Sequence, residues 1–116
     1  MADRFFASGA AVAVRVLKYP RVAGLIVDDD LSAERVVRLF RLSASKKAKR
    51  DAAIIIFAGS VAWYRGKRDA WSAEPVASLV RGLIGDEFNH ASNAATRLVR
   101  DNWSEIEQLA KGAEAA

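Results

Sequence analysis

The side chains able to do chemistry are few in this chain, and they do not form a complete set. His90 is the sole histidine and there is no cysteine, which excludes disulfides and thiolate metal sites. Glu87 and His90 stand three residues apart, the spacing with which di-iron carboxylate bundles present ligands from one helix. Those bundles need the motif twice with further glutamates, and it occurs once here. The pair is therefore read as a helix-surface histidine beside the carboxylates of Asp86 and Glu87. Asp28-Asp29-Asp30 concentrates negative charge, but a calcium loop alternates its ligands around a glycine turn and ends on a distal glutamate. The triplet is read as a solvated turn. Serine chemistry needs a nucleophile on a sharp elbow, and Gly59-Ser60 lies instead inside an apolar stretch with helical character.

The elements that must position any site are mostly helical. Residues 3 to 18 are rich in Ala and Val, apolar nearly all round, and end near Arg15 and Lys18. That pattern predicts a central helix with a cationic C-terminus, stopped by Tyr19-Pro20. Gly9 inside it costs about 1 kcal/mol relative to alanine, which implies a close neighbour on the backbone. Residues 21 to 27 are β-prone and end at the aspartate turn. Residues 32 to 42 admit two readings. Ser32 could cap a helix with Ala33, Val36, Val37 and Phe40 on one face, or Val36 to Leu42 could return as a strand beside residues 21 to 27. Ser45 caps a long helix to about Tyr64, buried from Asp51 to Val61 and ended by Gly66. Ser72 caps a helix over 73–84 with Pro75 early in it and Gly85 closing it. Asp86 opens another to about Arg100. Asn102 caps a last helix with Glu105 at the capping-box position, and the tail over 112–116 frays. With no internal repeat or linker, residues 1–116 read as one mainly α domain of about five helices, with at most a two-stranded β element near residues 21–42.

Four segments carry a resemblance to a known family. Phe5-Phe6-Ala7-Ser8-Gly9-Ala10-Ala11-Val12 resembles Tyr-His-Glu-Ser/Ala-Gly-His-Ala-Val, the zinc-binding helix of the compact, stand-alone relatives of FtsH-type zinc metallopeptidase domains. Phe57-Ala58-Gly59-Ser60-Val61-Ala62 is similar to that family's Leu-Ala-Gly-Pro-Ala-Ala segment. Trp71-Ser72-Ala73-Glu74 stands where the family has a Ser-Ser-Asp that supplies an acidic third ligand, with Asp69 as a rival for that place. Leu98-Val99-Arg100-Asp101-Asn102-Trp103-Ser104-Glu105-Ile106-Glu107-Gln108-Leu109-Ala110 is similar to the family tail Leu-Val-Arg-x-His-Trp-Pro-x-Ile-Glu-x-Leu-Ala. The four occur in the family's order and span nearly the whole chain. The resemblance implies the strand reading for residues 32 to 42.

The departures from that pattern bear on activity. In the family, two histidines four apart on a helix bind zinc and the glutamate between them deprotonates the bound water. Here the ligand positions are Phe6 and Ala10 and the base position is Ala7, none with a lone pair to offer. Glu74 alone cannot hold a catalytic zinc, which needs three protein ligands and an open position. The resemblance thus implies the scaffold without the activity: a vestigial site of Phe6, Ala7, Ala10 and Glu74, no catalytic residue, no metal or other cofactor, and a structural role or one of binding a protein or peptide. Trp63, Trp71 and Trp103 are read as packing residues.

Charge supplies a rival. Eighteen basic residues against fourteen acidic ones leave a net charge of +4, a modest excess that by itself weighs little. Its densest part is Lys46, Lys47, Lys49 and Arg50. With Arg35, Arg38 and Arg41 on a preceding helix, this cluster would imitate a helix-turn-helix contacting phosphates. Against base reading, the second helix soon becomes Ile54-Ile55-Ile56-Phe57, which is core, and few Asn or Gln side chains occur near its start. No apolar run reaches the length of a membrane span. Residues 5–14 loosely mimic a secretory signal ending near Ala11-Val12-Ala13. Met-Ala-Asp-Arg lacks a clear positive excess, however, and cleavage would remove the first core helix. A cytoplasmic location is expected.

Overall fold

The computed structural model describes residues 4–18, 33–40 and 45–115, with the side chains of Leu39, Phe40, Asp86 and 112–115 left aside. Six α-helices are present among the described residues: α1 Arg4–Val16, α2 Ala33–Phe40, α3 Lys46–Lys67, α4 Glu74–Ile84, α5 Phe88–Asp101 and α6 Trp103–Ala115. The axis is α3, about 33 Å long at 1.5 Å per residue. Ser45 starts it as expected, extended at φ −73° and ψ 145°, with its Oγ accepting the Ala48 N–H at 3.1 Å. Every residue from Asp51 to Ala62 is buried. A helix apolar on all sides can be satisfied only at the centre of a bundle, and α1, α2, α4, α5 and α6 all pack on it.

Gly66 does not end α3. The helix runs through it to Lys67 and stops at Arg68, which takes the left-handed conformation (φ 61°). The N–H groups of Arg68 and Asp69 return to the carbonyls of Arg65 and Tyr64 at 3.1 and 3.0 Å. Arginine adopts the conformation glycine usually supplies, because Gly66 serves a packing role described below.

Residues 33–40 are helical, which corrects the strand expected within residues 32–42. Ala33 and Val36 are buried and Val37 is half-buried, while Glu34 and Arg38 face solvent. Apolar residues at intervals of three and four make one stripe on a helix. On a strand, adjacent Val36 and Val37 would point to opposite faces, with only one core to receive them. The β-prone run 21–27 and Asp28-Asp29-Asp30 lie outside the described residues. Among the described residues the ordered elements are helical throughout.

Two further caps differ from expectation. Ala73, not Ser72, is the N-cap of α4, and Ser72 Oγ accepts the Glu74 N–H at 3.3 Å. Pro75 sits in the first turn and Gly85 (φ 54°) closes the helix, as expected. A 3-10 turn over Gly85–Glu87 leads into α5. Asn102 stands at the end of α5 and immediately before α6, and its side chain serves α5. Its Nδ2 donates to the Leu98 carbonyl at 2.8 Å, and its own carbonyl accepts the Ile106 N–H at 3.1 Å. A one-residue joint leaves its side chain turned back onto α5. Glu105 pairs with Arg15 across α1 and α6 instead of closing a capping box.

The largest fully buried side chains are Phe6, Phe57, Ile55, Ile56 and Ile106, with Val12, Val14, Val36, Val80 and Val99. They form one core with α3 as its common wall.

Candidate functional site

The segment that could have held metal, Phe5 to Val12 on α1, is locked into α3 by three glycines. A Cβ on Gly9 would lie 2.6 Å from the Ala62 Cβ and 2.7 Å from the Ala58 carbonyl oxygen. The backbones therefore approach closely there, as the mid-helix glycine implied. A Cβ on Gly59 would strike the Phe6 ring at 2.9 Å, and one on Gly66 would strike the Phe5 ring at 2.5 Å. Phe5 and Phe6 thus each occupy a notch left by a missing side chain on α3. Two of the segments bearing the resemblance, Phe5–Val12 and Phe57–Ala62, are each other's packing surface.

Phe6, Ala7 and Ala10 are 1%, 8% and 0% exposed, so their surroundings are packed and hydrocarbon-rich. Glu74 is exposed at the first position of α4. Its carboxylate makes no hydrogen bond or ion pair among the described residues. Among those residues no group of three or more His, Asp or Glu side chains could hold a metal ion. His90 is exposed on α5, in keeping with a surface histidine. Ser60 is fully buried and accepts the Trp71 indole N–H at 3.2 Å, a structural bond with no histidine involved.

The tryptophans all pack against the core. Trp71 meets Phe57 edge-on at 5.6 Å, and Trp103 stacks on Phe5 at 5.7 Å. Trp63 meets Tyr64 edge-on at 4.8 Å. The cations at the C-terminal end of α3 close over these rings: Lys67 Nζ lies 3.7 Å from the centre of Trp63, and the Arg65 guanidinium 4.7 Å from Trp103. Such contacts add modest attraction and cover the ring faces.

The basic cluster at the other end of α3 divides in two. Lys47 Nζ donates to Asp51 at 2.8 Å, one helical turn on. Arg50 forms a two-pronged pair with Glu87, Nε and Nη2 reaching the two carboxylate oxygens at 3.0 and 2.9 Å. The hydrogen bonds from Arg50, then its charge and those of Lys46 and His90, hold the Glu87 carboxyl below its ordinary range. Lys46 and Lys49 are exposed and make no side-chain hydrogen bond or ion pair among the described residues. With Glu87 and the half-buried Leu83 and Ile84 they line an open depression of about 310 Å³. The lysines were evident in the sequence. The apolar wall was not, because Leu83-Ile84 at the end of an amphipathic helix reads as ordinary core. The sequence pairs Glu87 with His90 by spacing, whereas its partner lies thirty-seven residues away in the chain.

The chain matches no protein-family model, no curated protein and no solved structure. Among the described residues no helix is long and apolar enough to cross a membrane.

Proposed function

We propose that this chain is a non-catalytic, metallopeptidase-like helical domain that works by binding a protein or peptide partner. The observation that carries the reading is the filling of the motif positions on α1. Phe6 and Ala10 are buried, and the Phe6 ring lies in the notch at Gly59. Hydrocarbon neither ligates zinc nor accepts a proton from water. With those positions covered, a partner meets the outer surface of the bundle. In support of the peptidase-like origin stands the order of the four similar segments along the chain.

The nucleic-acid alternative through Lys46, Lys47, Lys49 and Arg50 has less to draw on. Asp51 and Glu87 already hold two of the four cations. Affinity for duplex DNA grows with the number of phosphates neutralised, and two remaining lysines supply a small part of what such binding needs.

The test is metal analysis of the purified protein together with casein turnover in the presence and absence of chelator. The expected result is no stoichiometric zinc and no chelator-sensitive turnover. Tightly bound zinc with chelator-sensitive turnover overturns the reading.

A further inference from the structure

We infer that the depression between the first turns of α3 and the end of α4 is the docking surface, and that its occupant is an acidic segment of a partner protein carrying apolar side chains. This rests on the partner-binding role proposed above and names the surface and the chemistry of the partner.

Charge complementarity and shape carry it together. Lys46 and Lys49, three residues apart in the lining, make no side-chain hydrogen bond or ion pair among the described residues, whereas neighbouring Lys47 and Arg50 are held by carboxylates. Glu87, the acid in the lining among the described residues, is engaged by Arg50 through both oxygens, so it presents little repulsion to an incoming carboxylate. In the same lining, half-buried Leu83 and Ile84 supply an apolar wall. Phosphate or nucleic-acid backbone would use the cations and leave that wall in water. A peptide with glutamates flanking leucines covers both, its carboxylates on Lys46 and Lys49 and its apolar side chains on Leu83 and Ile84.

The single glycine of α4 is open as well. Gly9, Gly59 and Gly66 are each met by a neighbour where a Cβ would stand, but a Cβ on Gly82 would meet nothing within 4 Å. Gly82 sits inside α4, immediately before Leu83, where glycine weakens a helix and no contact among the described residues uses the space. The last turn of α4 thus carries no side chain at exposed Gly82, next in the chain to Leu83.

The experiment is an amide NMR titration of the whole chain with the peptide Ac-Glu-Glu-Leu-Leu-Glu-Glu-NH2. Saturable shifts centred on Lys46–Arg50 and Leu83–Glu87, weakening as salt is raised, are expected. The Lys46→Glu/Lys49→Glu double variant should lose about tenfold or more in affinity, a change of about 1.4 kcal/mol or more. Both sites are exposed, so its thermal melt verifies the fold, and a Lys67→Glu variant at the opposite end of α3 should bind the peptide as the unaltered chain does. Absence of saturable shifts overturns the inference, as does equal binding of the peptide with lysine in place of glutamate, or shifts centred on Arg65–Arg68. Duplex DNA moving the same amides with higher affinity assigns the surface to nucleic acid, and inorganic phosphate matching the peptide reduces it to a simple anion site; either result defeats the proposal. Failure here leaves the zinc and turnover results standing, so the two readings are separable.

Discussion

The two ends of α3 carry similar charge and use it differently. At the C-terminal end Arg65 and Lys67 lie over Trp103 and Trp63, and Phe5 fills the notch at Gly66. Cations and rings there close on one another. At the N-terminal end Lys47 and Arg50 are held by Asp51 and Glu87, but Lys46 and Lys49 border an open depression with a partly apolar wall. One helix thus has a sealed end, with cations over rings, and an end that borders an open depression. What separates them is not the number of positive charges but whether the fold supplies each with a partner. A charge run read from sequence reports the cations alone.

The largest expected effect lies in the sealed region. Phe6→Ala removes a fully buried ring from its notch against Gly59 and should cost about 3–5 kcal/mol in urea unfolding. That is a large part of the roughly 5–15 kcal/mol by which domains are stable. If the loss is under about 1 kcal/mol, in the range of surface substitutions, the α1–α3 interlock is not the core of the molecule.

Gly9→Ala follows. Its Cβ would crowd the Ala62 methyl and the Ala58 carbonyl, a backbone group unable to step aside, so despite alanine's higher helix propensity a loss of about 1–3 kcal/mol is expected. An unchanged denaturation midpoint would mean that the helices separate easily there.

In the open region the same substitution should act the other way. Gly82→Ala meets open space in a helix interior and should stabilise the fold by about 0.5–1 kcal/mol. The opposite signs at Gly9 and Gly82, read from two chemical denaturation curves, are the sharpest single check on the contrast. A destabilised Gly82→Ala would show that the end of α4 is packed after all.

The smallest effect concerns pH. Glu87 is held below the ordinary carboxylate range by Arg50 in the folded chain. A carboxyl lowered on folding contributes stability above its unfolded pKa, and that contribution fades as pH falls through the folded one. Its window therefore begins around the ordinary glutamate value of about 4.3 and extends below it. Thermal melts of Glu87→Gln should show a slightly weaker loss of stability across that acid range than the unaltered chain, and added salt should narrow the difference. Identical acid limbs at low salt would mean the Arg50–Glu87 pair does not act in solution.

Much of the fold was legible because its causes are local. The Ser45 cap, the apolar run from Asp51 to Val61, Pro75 in a first turn and Gly85 at a helix end all act through the backbone within a few residues. The errors fell where a distant contact competes with a local rule. Gly66 had the composition of a helix stop but serves as a seat for Phe5, sixty-one residues earlier in the chain. Asn102 had the composition of an N-cap but bonds backward to Leu98, since only one residue joins α5 to α6. Val36 to Leu42 drew the strand reading from a resemblance, against its own helical periodicity, and the periodicity prevailed over the described part, residues 33–40.

For the site, the sequence alone determined what is chemically impossible at the α1 motif positions: Phe6, Ala7 and Ala10 have no atom that could bind zinc or take a proton, whatever surrounds them. It also determined how many cations begin α3. Which of those cations are paired among the described residues was decided only by the tertiary structure. Glu87 reaches Arg50 from the turn between α4 and α5, and Leu83 and Ile84 join Lys46 and Lys49 in one depression from another helix. Side-chain chemistry is a property of each residue by itself. Neutralisation and shape depend on which groups the packed chain brings within a few ångströms, and no local pattern encodes that.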